Sequence, residues 1–279
     1  MNYILNIDTR NVDRNKNSIT NFRYTLISRL NNIISIKISS FEFTNSSYIF
    51  SDSNNNNIFY ITYSGTEYEF KLEDGNYSAE NIVQKLNEYF SSSIPALSVL
   101  LNSNSGKIKL SSNGTDFSLF FPNCENYKSF GELLGFDYNS YSSTSKVIIS
   151  ENIVNTLGEH YYFLKINDYG NIYNNARKYM SKIILNAPKY QTVYEDSNSY
   201  VSKEHIFKQT IDIKHLDIKI LDYKGNIVDP NGIDYSFSVE FKVIQNAILK
   251  LYKNINFRSN ELDDLILKDK LLKFCIENT

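Results

Sequence analysis

Tryptophan is missing from the 279-residue sequence, and cysteine, methionine, histidine and proline are scarce, with two, two, three and four copies. Each shortage excludes something. Two cysteines in unlike contexts, Cys124 and Cys275, cannot supply a disulfide framework or a thiolate zinc site, and the expectation is two thiols in a reducing compartment. The histidines, His160, His205 and His215, are scattered and form no His-Glu-x-x-His helix. No apolar run approaches the ~20 residues that a membrane helix needs, so no membrane span is expected. Lys and Arg total 29 against 31 Asp and Glu, a net charge of −2, and no basic block stands out. That balance gives no electrostatic footprint for direct nucleic-acid binding and no polybasic membrane anchor. The opening Met1-Asn2-Tyr3-Ile4-Leu5-Asn6-Ile7-Asp8 turns polar too early for a secretory signal, which points to a cytoplasmic protein. Glycine-rich phosphate loops, the dinucleotide-binding glycine pattern and the Gly-x-Ser-x-Gly elbow are also missing.

What remains is rich in strand formers. Hydrophobic residues make up 42% and aromatics 14%, with 22 Tyr and 18 Phe beside many Ile and Val, enough to bury a sizeable core and to favour strands over helices. The excess of Asn, Ile, Lys and Tyr matches an AT-rich coding sequence.

Alternation marks the strands. Tyr3, Leu5 and Ile7 share one face; Phe22, Tyr24 and Leu26 alternate, as do Ile34, Ile36 and Ile38 in the run to Phe43. Between them, 8–18 is polar and reads as a loop too poor in apolar residues to fold onto a core. The polar stretch 51–57 reads as a boundary. Beyond it, 58–63 and 68–72 form a hairpin around Ser64-Gly65-Thr66-Glu67, and Ser78 stands as N-cap of a helix carrying Ile82, Val83, Leu86, Tyr89 and Phe90, with Asn81 at the capping-box position. Strands follow at 97–102, 107–111 and 117–121, and a short piece at 130–136 closes this unit. Strands resume at 161–166, 182–185, 191–194 and 207–213, and 215–221 with 235–244 reads as a closing pair across the turns at 222–226 and 229–232. The tail spaces Leu262, Leu265, Ile266, Leu271, Leu272 and Ile276 as one or two short amphipathic helices.

The fold class expected is mainly β: a single jelly-roll-like β-sandwich with an inserted small α+β module and a partly helical C-terminal tail. The sandwich takes 1–53 and 153–246, the module 54–152, the tail 247–279. The reason is pairing demand, since the early strands leave edges that only later strands can cover.

Candidate sites are few, and each has a plain structural alternative. A metal site would need His205 and Asp212 to converge, whereas His215 reads as a sheet-surface histidine. Asp222, Asp229 and Asp234 could offer oxygen ligands to calcium, but their spacing is not that of an EF-hand and Asp/Asn/Gly clusters are routine turn formers. Asp263-Asp264 reads as the solvated face of the tail helix. The tyrosines could line a sugar-binding groove, although Tyr on half-buried strands more often packs. No catalytic residue, cofactor site or metal site is assigned, and the chain is read as a non-enzyme; a hydrolase would need a convergent carboxylate pair that the sequence does not offer.

Three stretches carry a family resemblance. Ile4-Leu5-Asn6-Ile7-Asp8-Thr9-Arg10-Asn11-Val12-Asp13-Arg14 resembles the opening of minor capsid and penton-like proteins of large nucleocytoplasmic DNA viruses. Asp74-Gly75-Asn76-Tyr77-Ser78 before a helix, with Leu134-Gly135-Phe136, resembles a module inserted in such virion proteins. Leu216–Leu221 with Asp222-Tyr223-Lys224-Gly225-Asn226 and Phe237-Ser238-Val239-Glu240-Phe241 resembles their closing strands. The resemblance touches about half the chain and brings no catalytic residues. It implies a virion protein of a giant virus assembled in the host cytoplasm. The implied partners are other capsid proteins, major and minor, and copies of the chain itself, a pentamer if it stands at a vertex. The alternative is a host-attachment or carbohydrate-binding protein using the inserted unit. The polar loop 8–18 and the tail from Asn246 are the expected contact segments, the alternative for the tail being that Leu262, Leu265 and Ile266 pack back on the sandwich of the same chain.

Overall fold

The structure, a computed structural model, describes residues 1–196 and 203–244. The tail helices, Asp263, Asp264 and Cys275 lie outside the described residues. The chain divides into two compact units: one holds Met1–Asn45 and the described residues from Tyr161 onward, the other Ser46–His160.

The first unit opens with β1 (Asn2–Asp8) and β2 (Asn21–Thr44). The two runs read separately as 22–26 and 33–43 are one 24-residue strand. The ladder continues through polar residues because pairing uses backbone groups that every residue carries, while irregularities absorb the break in pattern. Residues 8–18 are not a free loop. A 3-10 turn over Thr9–Asn11 leaves Thr9 fully buried, and Val12 packs on the core. Thr9 is held by polar bonds: its hydroxyl donates to Asp234 at 2.8 Å and accepts from the Tyr235 amide at 3.0 Å. The expectation of a segment too polar to dock is corrected by that anchoring.

The second unit contains β3 (Ile58–Tyr63), β4 (Thr66–Lys71), α1 (Ala79–Ser93), β5 (Leu97–Leu101), β6 (Ile108–Ser112), β7 (Phe117–Phe120), α2 (Phe130–Leu133), β8 (Ser140–Ser142) and β9 (Val147–Ile149). β3 and β4 turn through Ser64 and Gly65, both at positive φ, as a two-residue hairpin requires. Ser78 accepts from the Asn81 amide and caps α1. Ile82, Leu86 and Phe90, spaced by four, are buried, each worth about 1.5–3 kcal/mol of apolar transfer. Val83 and Tyr89 are half-buried beside them. The piece 130–136 contains α2, closed by a reciprocal capping box between Ser129 and Glu132. The strands form a sheet ordered β4-β3-β7-β8 and another ordered β5-β6-β9.

The chain then returns to the first unit with β10 (Tyr161–Ile166), β11 (Ile172–Asn174), β12 (Arg177–Tyr179), β13 (Ser181–Ile184), β14 (Thr192–Asp196), β15 (His205–Leu221) and β16 (Ser236–Val243). The main sheet runs β1-β16-β2-β15-β10-β13, with β14 also on β2, and every pairing is antiparallel. The expected closing pair is a correction: the last stretch of β15 and β16 do not pair with each other, and both pair with β2. A 24-residue central strand has room for partners on both edges, and the two turns between β15 and β16 carry the chain from one side to the other. β2 pairs with β14, β15 and β16, and with none of the strands between 46 and 160. The result is mainly β, a jelly-roll-like sandwich curled over Ile36, Phe41, Leu164, Leu216, Ile218 and Phe237, with a small α+β module in mid-chain.

Candidate assembly surface

β1 takes its place through Ile7, fully buried in line with Phe237 and Phe41. Its ladder with β16 runs without a break from Asn2↔Lys242 to Asp8↔Ser236. Among the described residues β1 pairs with no other strand, so its second edge is open. That end of the strand is apolar: Met1 is 69%, Tyr3 42% and Ile4 63% exposed. Proteins usually blunt such edges with lysine, proline or bulges, because a row of open backbone groups pairs readily with another strand. β1 has no lysine or proline. At its far end Arg10 pairs with Asp8 and lowers the carboxyl pKa, chiefly through their hydrogen bond.

A second apolar protrusion marks the irregular stretch where β2 and β15 pair. Between the pairs Ile213↔Leu30 and His215↔Thr25, β2 carries four residues against Lys214 alone. Ile27 sits on this bulge, wholly exposed.

In the second unit, one row of the four-stranded sheet reads Ser140, Phe120, Tyr60, Glu69. The Tyr60 and Phe120 rings lie 6.2 Å apart, Phe120 nearly half exposed, with Thr62, Ser118 and Ser142 along the next row. The nearby Tyr141 phenol donates to Glu151, and burial pushes its pKa up to about 12.

The candidates read from sequence separate. His205 faces Asn171 at 3.2 Å while Asp212 accepts the Asn32 amide, so the two do not converge on one ion. His215 is exposed and hydrogen-bonds Thr25 at 3.0 Å; His160 is exposed too. Asp222 closes its own turn, accepting from the amides of Gly225 and Asn226. Asp229 accepts from the Asn231 amide, and Asp234 takes Thr9 and Arg14. These carboxylates are turn and loop formers. The Cys124 thiol donates to the Asn55 carbonyl. Sequence reasoning missed the open apolar edge and the Tyr60–Phe120 pair. Alternation placed Tyr3, and the hairpin pattern Tyr60, on strands; which strands become neighbours depends on partners remote in sequence.

No family model matches the chain, and no curated protein matches it. Fifteen chains among solved structures match it. One of them, the crystal structure of a selenomethionine-labelled mavirus penton protein, has 11% sequence identity and a TM-score of 0.41, over 88% of this chain and 100% of that one.

Proposed function

We propose that this chain is a non-enzymatic structural protein of a viral capsid, a minor or penton-like component that works by protein–protein contact. The observation that carries the reading is the β1 edge, where Met1, Tyr3 and Ile4 stand exposed beside backbone groups that pair with no strand among the described residues. An added strand gains main-chain hydrogen bonds from such an edge and covers its side chains. The sequence resemblance supports the same reading, and with it a location in the virion and partners among other capsid proteins and further copies of this chain. The organisation proposed with it is a sandwich of 1–53 and 153–246 interrupted by a module at 54–152.

The test is sedimentation of the wild-type chain and Ile4→Lys over a range of concentrations. The expected result is association of the wild type, and a variant with the same melting midpoint that stays monomeric. Equal association of both chains would remove β1 from the interface.

A second reading, glycan attachment through the mid-chain unit, is favoured by the Tyr60–Phe120 pair with hydroxyls around it, since aromatic faces present large amphipathic contact area. Glycan-array binding that Phe120→Ala abolishes would support it; an array without hits sets it aside.

A further inference from the structure

Where β2, β15 and β10 lie side by side, they and the segment 16–18 enclose an open cleft of about 560 Å³. Its lining carries four cationic side chains, Lys16, Arg23, Lys165 and Lys219, against two carboxylates, Asp168 and Asp217. This local excess of positive charge sits in a chain whose net charge is −2.

The register explains how the cations are brought together. Lys219 of β15 stands directly opposite Lys165 of β10 and, on its other side, opposite Asn21 of β2. Directly opposed residues share a face with Cβ atoms about 4.5–5.5 Å apart, and like charges so placed destabilise a sheet. Three of the four cations have a carboxylate. Arg23 engages both oxygens of Asp217, at 2.6 and 3.0 Å, which neutralises that carboxylate. Lys165 reaches Asp168 at 3.0 Å, and Lys16 reaches Asp13 at 3.3 Å. Asp168 has 92% of its side chain in solvent, so its hold on Lys165 is weak and exchangeable. Lys219 makes no close ion pair among the described residues, and its charge acts on Asp217 only at longer range, behind that of Arg23. Asn167, whose side-chain oxygen accepts from the Asp217 amide, adds a polar side chain to the wall.

We propose that this cleft binds a small oxyanion of the phosphate or sulfate type, held between Lys219 and Lys165. Such an ion relieves the opposed ammoniums by accepting a charge-assisted hydrogen bond from each, and the polar wall lets it keep part of its hydration.

The test is thermal unfolding of the full chain as chloride is replaced by low-millimolar phosphate or sulfate at constant ionic strength. The wild-type midpoint should rise and saturate, as site binding requires; exclusion of these salts from the surface does not saturate. Lys219→Gln should lose the saturating rise, and its midpoint without oxyanion should stay close to the wild type's, because the repulsion from the opposed Lys165 and the attraction to Asp217 are lost together. Lys208→Gln, exposed on the same strand away from the cleft, should keep the full rise. If Lys219→Gln does not fold, Lys165→Gln is read instead, with the half-saturating concentration expected to increase severalfold. An absent wild-type rise, an equal rise in the cleft variants, or a response to a sulfated oligosaccharide where both inorganic ions are silent would each overturn the proposal.

Discussion

Lys214 of β15 reaches the bulge of β2 and donates its ammonium to the Leu26 carbonyl at 2.7 Å and to the Ile27 carbonyl at 2.9 Å. A bulge removes backbone groups from the ladder, and here a side chain from the neighbouring strand takes their place. Lys214→Met keeps the length of the stem and removes the donor. It should lower stability by about 1 kcal/mol, the net worth of a hydrogen bond whose acceptor stays near water. Urea denaturation reads this, and an unchanged midpoint would show that water replaces the ammonium at no cost.

Thr9 offers a buried counterpart. Thr9→Val deprives the Tyr235 amide of its acceptor and Asp234 of a donor, and should cost about 1–3 kcal/mol because the amide is left buried and unpaired. Arg14→Ala breaks the half-exposed ion pair to Asp234 and should change stability by less than about 1 kcal/mol. Equal losses in the two variants would mean that the 8–18 segment is held by charge and not by its buried hydroxyl.

Two glycines should respond unequally to alanine. Gly170 has φ +117 and an added Cβ would stand 1.9 Å from the Tyr179 carbonyl oxygen, a backbone atom that cannot swing aside. Gly65 has φ +81 with open space around it. Gly65→Ala should therefore cost only the left-handed penalty of roughly 1–2 kcal/mol. Gly170→Ala should cost more, enough to lower the yield of folded protein. A calorimetric comparison of the two midpoints checks the order.

His205 gives a pH dependence with a defined sign. Its ring stacks on Tyr169 and meets Phe207 edge-on. Burial, and secondarily the charge of Lys178, hold its pKa below the ordinary 6.5. The unfolded chain then takes up the proton first. The stability tied to neutral His205 is complete above about pH 6.5 and falls as the pH drops toward the folded pKa. Melting midpoints from pH 7.5 down to 5 should decline more steeply in the wild type than in His205→Gln. Parallel curves would show that other groups set the slope.

In the mid-chain unit, Leu86→Ala should cost about 2–5 kcal/mol, as expected for a wholly buried leucine among Phe90 and Ile82. Hydrogen exchange should show the lost protection in α1, β3 and β6. Loss confined to α1 would mean that the helix does not share the core of its sheets.

The sequence by itself determined which segments are extended, which are helical and which faces turn inward. The alternation of Phe237, Val239 and Phe241 becomes the buried face of β16, and the Ser78 cap with Ile82, Leu86 and Phe90 becomes α1. These follow from side-chain periods of 2 and 3.6 and from local capping chemistry, which act within a few residues. The tertiary structure alone decided who pairs with whom. A period-two pattern names the inward face and leaves the neighbour open, so nothing in 215–221 and 235–244 showed that each would pair with β2 instead of the other. The same holds for the candidate sites. Lys165 and Lys219 are ordinary strand lysines until the register sets them side by side, and Tyr3 and Ile4 look like core alternation until β1 falls at the edge of the described sheet. Pairing is a competition among all the strands of the chain for backbone hydrogen bonds and shared apolar cover, and it is resolved only when the whole sheet has formed.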